Sequence, residues 1–480
     1  MSPNSKRPAL RPVVCAAAIV LMSMSGWATA QTQQARAQSL VELFQAAKSY
    51  DAAYLSAKSE ADSAQYKAAQ ADALRLPTVG LRGTIDRSKL DSDTSGVAGA
   101  NTASSALGGL GALGNSGSGS AYSTKKTLGI TARQPLFNRA NDADVGKGQQ
   151  ALIAAQASLK SAEDDLVVRL TQAYFDVLAA QDILNTSQTN KKALSEQLAA
   201  AKRNFEVGNA TITDTREAQA RFDLAGAQEI AATNDLRVKG LSLDQLVGQI
   251  DVKPRPLMTP VNLPVLMPSS VDEWTTQTAQ SPTVRKAEVA LALARLDTAK
   301  ARAGHMPTLD ATASILRNDI DSNAQGTAAA QLAAGAGTTS AIGLELNVPI
   351  FAGFAVQNRI KETLVGEEKA EHDLDNAKRT INLGTRQAFL VVQSGMVQVK
   401  AYEAAESSAK LALEATQLGY RVGVRINKDV LDAQNLVSNT QKDLYKARYD
   451  VLVASMKLRQ ASGTLKPEDL DLFNKLLAPQ

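Results

Sequence analysis

The chain has 480 residues, of which 44% are hydrophobic and only 4% aromatic, and its formal net charge is +4. Three of the positive charges lie in the first 30 residues, which contain no acidic residue, so the rest of the chain carries only +1. This balance gives no argument for nucleic-acid binding. Few aromatic residues and long stretches of Ala, Gln, Leu, Lys and Glu favour extended helix pairs over a large globular core.

Residues 1–30 are predicted to be a secretory signal peptide. Basic residues are followed by an apolar run over 13–22 and by Ala28-Thr29-Ala30, an Ala-x-Ala cleavage pattern. The mature chain is then expected to begin at Gln31, and Cys15, the one cysteine, is removed. No apolar run reaches the ~18 residues of a membrane-spanning helix, so an exported protein of this kind would enter a membrane with strands.

The first structural repeat is predicted over 31–250. A helical pattern over 39–76, broken near 49–52, stops before Pro77, because the residue before a proline disfavours helix. The period then changes to two, and apolar residues alternate with polar ones in the way that predicts strands with one apolar face. These strands are predicted at about 78–88 and 124–134, and the Gly- and Ser-rich segment 91–121 between them is predicted to be a loop.

A long helix is predicted from 138 to 205, a stretch without proline whose apolar residues recur every three or four positions. At ~1.5 Å per residue it would be ~100 Å long, far more than a globular domain requires. A turn at Gly208, with its tip at about 206–214, leads to a shorter helix from about 213 to 249. A connector rich in proline follows at 251–270 and cannot be regular helix.

The second structural repeat, at 271–465, duplicates the first. Pro349-Ile350-Phe351 matches Pro135-Leu136-Phe137 at a separation of 214 residues. We predict strands at about 308–317 and 340–348, a loop at 321–339, a helix from about 352 to 420, a hairpin tip at about 420–429, a helix from about 427 to 462, and a C-terminal tail at 466–480.

Four strands of about ten residues cannot close a barrel, and a bilayer does not tolerate their open edges. Three copies would supply twelve strands and matching edges. The polar faces would then line a water-filled lumen; they include Arg82, Asp86, Arg133, Asp310 and Glu345. A soluble sheet packed on helices is the alternative.

Asp429 and Asp432 lie three residues apart after the second turn and therefore share one helix face. Acidic residues are common in a first helical turn, where the dipole favours them by ~0.3–1 kcal/mol. Around a three-fold axis the same residues would form a cation-selective constriction.

The order of elements, the duplication and the segment from Gly419 to Ala433 resemble the TolC family of outer-membrane efflux and secretion ducts, as does Gly463-Thr464-Leu465 followed by acidic residues. The resemblance implies a mainly α fold with a membrane β-barrel portion, formed by a trimer with twelve strands and a twelve-helix periplasmic tunnel. It also implies a gate at the tunnel entrance. Asp429 and Asp432 would form its two acidic rings, and Tyr420, Arg425 and Asp214 would form the links that hold it shut.

Two of these roles have a plainer alternative. Arg425 could be a solvated turn residue, since its counterpart in the first half is Ala210. Gly208 and Gly423 are predicted to serve the hairpin turns alone.

The function that this resemblance implies is an exit duct of a tripartite efflux pump or a type I secretion system in the outer membrane. The implied partners are further copies of the chain, a periplasmic adaptor (membrane fusion) protein, an inner-membrane RND or ABC transporter, and outer-membrane lipid, with no nucleic acid. A non-transporting trimeric coiled-coil spacer or adhesin is the alternative.

No enzyme, cofactor or metal site is predicted. The chain has two histidines, His305 and His372, and no cysteine beyond the predicted signal, too few for a metal set or a nucleophile triad. The acidic run from Glu367 to Asp375 is predicted to be the solvated face of a coiled coil.

Overall fold

A computed structural model describes residues 37–92, 119–258, 261, 263–264, 266–322 and 335–478. The predicted signal peptide and most of the loops 91–121 and 321–339 lie outside these residues. Each half of the described chain contains helices before and after a pair of strands. The elements of the first half are α1 (Leu40–Tyr50), α2 (Ala52–Asp72), β1 (Thr78–Ser92), β2 (Gly119–Phe137), α3 (Arg139–Glu206) and α4 (Ile212–Val247). Those of the second half are α5 (Val271–Gln277), α6 (Pro282–Ala303), β3 (Thr308–Ser322), β4 (Gly335–Asn347), α7 (Ala355–Arg421), α8 (Asn427–Ser462) and α9 (Asp469–Asn474).

Local chemistry sets the ends of these helices. Asp51 separates α1 from α2, and its carboxylate accepts the Tyr54 N–H at 2.8 Å as an N-cap. Asn138 caps α3 by accepting the N–H groups of Ala140 and Asn141. Gly463 ends α8 with a positive φ of 75°, a conformation that favours glycine.

The helices form one layer in which α3 and α7 are the long members. The shorter α2 and α4 both pack along α3, while α6 and α8 both pack along α7 and also contact α3. The order across the layer is therefore α2–α3–α6–α7 at the end next to the strands and α4–α3–α8–α7 at the hairpin tips. Both orders leave α7 at one edge, with α2 and α4 at the other.

The four strands form an antiparallel sheet in the order β1-β2-β3-β4. Leu81 pairs with Ile130, which pairs with Ile315, so one row of apolar side chains crosses three strands. All three side chains are more than half exposed in the single chain. This architecture confirms the predicted mainly α fold with four strands per chain.

The strands are longer than the predicted ten residues, at 15, 19, 15 and 13 residues. Their outer ends contain polar and small residues, including Lys125, Lys126 and Gly335, which show no apolar alternation. Their pairing partners rather than their own pattern keep them extended. Lys126, for example, forms an ion pair with Asp321 at 3.1 Å.

One predicted junction was wrong. The predicted strands end at about 134 and 348 and the predicted helices begin at about 138 and 352, which leaves a linker of only about three residues in either half. In the first half β2 runs through Pro135 to Phe137, directly before α3. In the second, β4 ends at Asn347, and residues 348–354 form a bent segment with positive φ at Gly353 and Phe354. The pairing of the edge strand β4 with β3 ends at Asn347, and the proline at 349 cannot donate to a ladder, so residues 348–351 pair with no strand in the described part of the chain.

The main hydrophobic core surrounds the middle of α3. Phe175 lies in edge contact with Tyr174 and close to the rings of Tyr449 and Phe473, so side chains of α3, α8 and α9 meet there. The Tyr174 hydroxyl accepts the Arg255 N–H at 2.9 Å and lies near two backbone carbonyls. The connector after α4 is thereby fastened to α3. None of the helices within the described ranges is long and apolar enough to cross a membrane.

Candidate functional site at the helical hairpin tips

Each long helix reverses through a tight turn built on a glycine. Gly208 follows α3 with a φ of +79°, and Gly423 follows α7 with a φ of +80°. Open space surrounds both positions where a Cβ would stand, so the backbone conformation alone requires glycine there. The two hairpins, α3/α4 and α7/α8, thus end in turns of the same conformation.

Asp214 is engaged within its own hairpin. Its carboxylate accepts the Thr211 N–H at 3.0 Å and the Thr211 hydroxyl at 2.8 Å, while the Thr211 hydroxyl accepts the Asp214 N–H. This is a capping box at the start of α4. Within one chain the structure therefore brings Asp214 to Thr211 and not to Tyr420 or Arg425; a link to either in a neighbouring copy stays a prediction.

Asp429 and Asp432 lie on α8 directly after the second turn, and both are partly exposed. Arg425 Nη1 is 3.7 Å from Asp429 Oδ2, which makes this a loose ion pair within one hairpin. Asp432 is held more tightly. Lys428 Nζ lies 2.6 Å from Asp432 Oδ2, and Arg221 Nη2 lies 2.8 Å from Asp432 Oδ1.

These cations stabilise the ionised form of Asp432. The hydrogen bond and charge of Lys428 lower the pKa of that carboxyl, with a further contribution from Arg221. The carboxylate in turn raises the pKa of Lys428. The negative charge of Asp432 is therefore accompanied by the positive charges of Lys428 and Arg221. The three-residue spacing of the two acidic residues did not predict these counter-ions.

The two hairpins meet above their turns. Leu431 of α8 is fully buried among Leu194 and Leu198 of α3 and Ala218 of α4. Tyr420 of α7 accepts a hydrogen bond from the Asn204 side-chain amide of α3 at 3.1 Å. The Arg221–Asp432 pair is a second polar bond between the hairpins.

Sequence reasoning missed the pairing of Lys428 with Asp432, and it missed Arg221, Asn204 and Leu431 as members of this site. The spacing of Lys428 and Asp432, four residues apart on one helix, is a signal that could have found their pairing. Arg221 is 211 residues from Asp432, and no local pattern joins them.

The two histidines lie elsewhere. His305 follows the end of α6, and His372 is exposed on α7, 3.9 Å from Glu368. The nearby acids Glu367 and Asp373 pair with Arg295 and Lys369. Within the described ranges no group of three or more His, Cys, Asp or Glu residues could hold a metal ion.

Amphipathic strands continued by helices of this length, with acidic groups where the hairpins end, define a class of envelope channel subunit. The model of the family described as "Outer membrane efflux protein" matches residues 43–249 and 276–464. The chain belongs to this family. It is an outer-membrane channel protein of the class that serves efflux pumps and type I secretion, with its helices extending into the periplasm.

Individual relatives agree. The chain is 28% identical to the outer membrane protein TolC of Vibrio cholerae over 465 residues, covering 96% of this chain and 97% of the relative. It is 31% identical to the alkaline protease secretion protein AprF of Pseudomonas aeruginosa, over 72% of this chain and 70% of that protein. The crystal structure of VceC from Vibrio cholerae has the same fold, with a TM-score of 0.72 at 18% identity, covering 88% of this chain and 96% of that one. The predicted family is confirmed, and these relatives favour a channel over a spacer or adhesin.

Proposed function

We propose that three copies of this chain close into a continuous tube that forms a gated exit duct. The observation that supports this proposal is that the open edges of the sheet lie on the same two sides of the chain as the open edges of the helical layer. At one edge lie β1, α2 and α4, and at the other lie β4 and α7. If the first edge of one copy meets the second edge of the next, both layers continue across the same contact, and a rotation that closes produces a ring.

The exposed faces of the edge helices support this contact. Along α7, apolar side chains more than half exposed recur at intervals of seven or fourteen residues, the spacing of a coiled-coil seam. They are Leu383, Leu390, Val397, Leu411 and Leu418. On α4, Leu224 and Val238 are also exposed and lie fourteen residues apart on one face. A neighbouring copy would bury both stripes.

The strands support the membrane part of the tube. Val79, Leu81 and Ile342 are each more than 70% exposed on one face, as lipid contact requires. On the opposite face, Arg133 Nη2 lies 2.6 Å from Asp310 Oδ2, a paired charge suited to a polar lumen. Twelve such strands would close a barrel with room for an aqueous passage.

The hairpin tips form the periplasmic gate in this proposal. Asp429 and Asp432 would make two acidic rings, and Tyr420, Arg425 and Asp214 would help to hold the entrance closed through contacts within and between copies. Carboxylates repeated around an axis favour cations. Because Lys428 and Arg221 accompany Asp432, its ring would be less negative than bare carboxylates.

The duct would act without catalysis or a cofactor and would bind no nucleic acid. Its tips would engage a periplasmic adaptor protein and, with it, an inner-membrane RND or ABC transporter. The exposed Val207, Val422 and Val424 at the two turns offer apolar groups for such a partner. Efflux in the family description and protease secretion in the name of AprF support small molecules or unfolded protein as cargo.

Cross-linking and conductance test this proposal. Leu224→Cys and Leu411→Cys lie at similar distances from their turns on opposite edges of one chain, and Cys15 is the only other cysteine in the sequence. A short thiol cross-linker should give covalent trimers with the double variant and no ladder with either single variant. The double variant Leu224→Cys with Leu364→Cys is the matched control. Leu364 is also exposed on α7, but it lies 47 residues, or ~70 Å along the helix, from Leu411.

Purified protein should also conduct ions across a planar lipid bilayer. A monomer that never cross-links, or an open ladder beyond the trimer, contradicts the closed ring. A trimer without conductance favours the spacer or adhesin.

A further inference from the structure

Asp432 receives cations from two different parts of the molecule. Lys428 lies one turn earlier on the same helix, with its ammonium 2.6 Å from one carboxylate oxygen. Arg221 lies on α4, in the other hairpin, with its guanidinium 2.8 Å from the second oxygen. One of these bonds is internal to α8, and the other joins the two hairpins.

The surrounding packing brings Arg221 and Asp432 together. Leu431, the residue before Asp432, is fully buried against α3 and α4. Ala218 on α4, also fully buried, lies one turn before Arg221 in the same cluster. The ion pair therefore lies at the border of the apolar patch where the α7/α8 hairpin contacts the α3/α4 hairpin.

The two bonds behave differently when the hairpins move apart. Lys428 travels with Asp432 because both are on α8, so that bond persists. Arg221 stays with α4, where Glu217, 3.7 Å away, remains as a second acidic neighbour. Neither Asp432 nor Arg221 is left without a counter-charge, so the large cost of an isolated charge does not arise.

The exposure of the pair suits a bond that breaks and re-forms. The side chains of Arg221 and Asp432 are 32% and 43% exposed, so water can replace each partner. Partly exposed ion pairs contribute little individually. Three such bonds acting together in a trimer would shift a gate equilibrium without locking it.

We propose that Arg221 is a gate-closing residue, which holds the α7/α8 hairpin against the α3/α4 hairpin through Asp432. The inference rests on the proposed function, in which the hairpin tips form the gate. It adds a bond within each copy to the links already assigned to Tyr420, Arg425 and Asp214. Lys428 is the counter-ion that Asp432 keeps in the open state.

Single-channel recording in planar bilayers tests the role. Arg221→Gln removes the inter-hairpin bond and should raise the conductance of the purified trimer several-fold at neutral pH. Arg221→Lys keeps the charge and should remain close to wild type. Arg216→Gln is the matched control, because it removes one positive charge from an exposed position five residues earlier on the same helix.

Asp432→Asn removes the same bond from its other end and should also raise the conductance. A rise with Arg221→Gln but not with Asp432→Asn would overturn the pairing, and equal rises with Arg221→Gln and Arg216→Gln would reduce the effect to net charge. Trimer formation by each variant is checked by cross-linking at Leu224 and Leu411. If Arg221→Gln forms no trimer, the Asp432→Asn recording decides, and unchanged conductance there overturns the proposal.

Failure of this inference differs from failure of the proposed function. If the wild-type trimer does not conduct, the duct itself is wrong. If the wild type conducts and Arg221→Gln conducts equally, the duct stands and the role of Arg221 is wrong.

Discussion

The side-chain amide of Asn204 on α3 donates a hydrogen bond to the Tyr420 hydroxyl on α7, at 3.1 Å, although the two residues are 216 positions apart. This bond joins the two hairpins just before their turns. The family resemblance implies a gate role for Tyr420, and the structure shows that this residue has a hydrogen-bond partner in the same chain. A residue that bonds across the hairpins can resist their separation.

Removal of that hydroxyl should loosen the gate. Tyr420→Phe keeps the ring and loses one neutral hydrogen bond, worth about 0.5–1.5 kcal/mol per copy. We expect a higher single-channel conductance or a larger open fraction than in the wild type. Tyr402→Phe is the control, because the Tyr402 hydroxyl bonds Gln398 within α7 and joins no two helices. Equal currents from the two variants would contradict a role for Tyr420 in closure.

Arg425 is expected to act between copies. Within one chain it lies beside Asp429 of its own hairpin at 3.7 Å and does not bridge the two hairpins. Arg425→Ser should raise the conductance of the assembled trimer if the guanidinium holds a neighbouring copy. Currents identical to wild type would instead support the solvated turn residue that the sequence left open.

The acidic rings should make the pore sensitive to multivalent cations. Carboxylates from three copies around one axis attract divalent and trivalent cations more strongly than monovalent ones. We expect these cations to block the conductance from the periplasmic side, and Asp429→Ala with Asp432→Ala to abolish the block. Block that survives the double substitution would show that the cations bind elsewhere.

The block should also depend on pH in a way that Lys428 controls. The pKa of Asp432 is lowered, chiefly by Lys428, so the carboxylate stays ionised below the ordinary aspartate value of about 3.9. Its bond to Arg221 and its share of the block are present above that value and disappear as the pH falls through the lowered pKa. Lys428→Gln should move the loss of cation block to higher pH, because the pKa of Asp432 is then lowered less. It should also strengthen the block at neutral pH, because one positive charge beside the carboxylate is removed.

The control for Lys428 is Lys369→Gln. Lys369 forms the same four-residue pairing with Asp373 at 2.6 Å, but on the exposed face of α7 and away from the tips. It should leave the pH dependence of block unchanged. The same pH profile for Lys428→Gln and wild type would contradict the assignment of Asp432 to the pore.

Sequence patterns predicted the helices well because their ends depend on neighbouring residues. The predicted end of α8 at Ser462 coincides with the observed one, where Gly463 adopts a left-handed conformation. The lengths of the strands were underestimated, because the ends of the strands far from the helices are polar and show no apolar alternation. Pairing with the neighbouring strands decides how far each strand extends. The segment 348–354 after β4 differs in conformation from the equivalent segment after β2, because β2 is a central strand and β4 is an edge strand. The similarity of the two sequences does not reveal this difference.

The candidate site was predictable only in part. The paired acids and the turn glycines follow from local spacing, and Lys428 could have been added by the same reasoning. Arg221 could not, because its position relative to Asp432 depends on how Leu431 packs between two helices of the other hairpin. Bonds between the two repeats depend on tertiary packing. The internal duplication shows which residues of the two repeats are equivalent in sequence, but it does not show which residues are in contact.

The turn glycines allow a test in which backbone conformation is the main variable. Gly423 has a φ of +80°, and Gly240, within α4, has ordinary helical geometry; neither has an atom within 4 Å of the place where a Cβ would stand. Gly423→Ala should destabilise the trimer by about 1–2 kcal/mol per copy, because an L-residue is strained at positive φ. Gly240→Ala should stabilise it by about 0.5–1 kcal/mol, since alanine loses less conformational freedom in a helix. Thermal unfolding of the purified trimers should therefore shift in opposite directions. Shifts of the same sign would show that contacts in the assembled tube, and not backbone conformation, decide which residue each position tolerates.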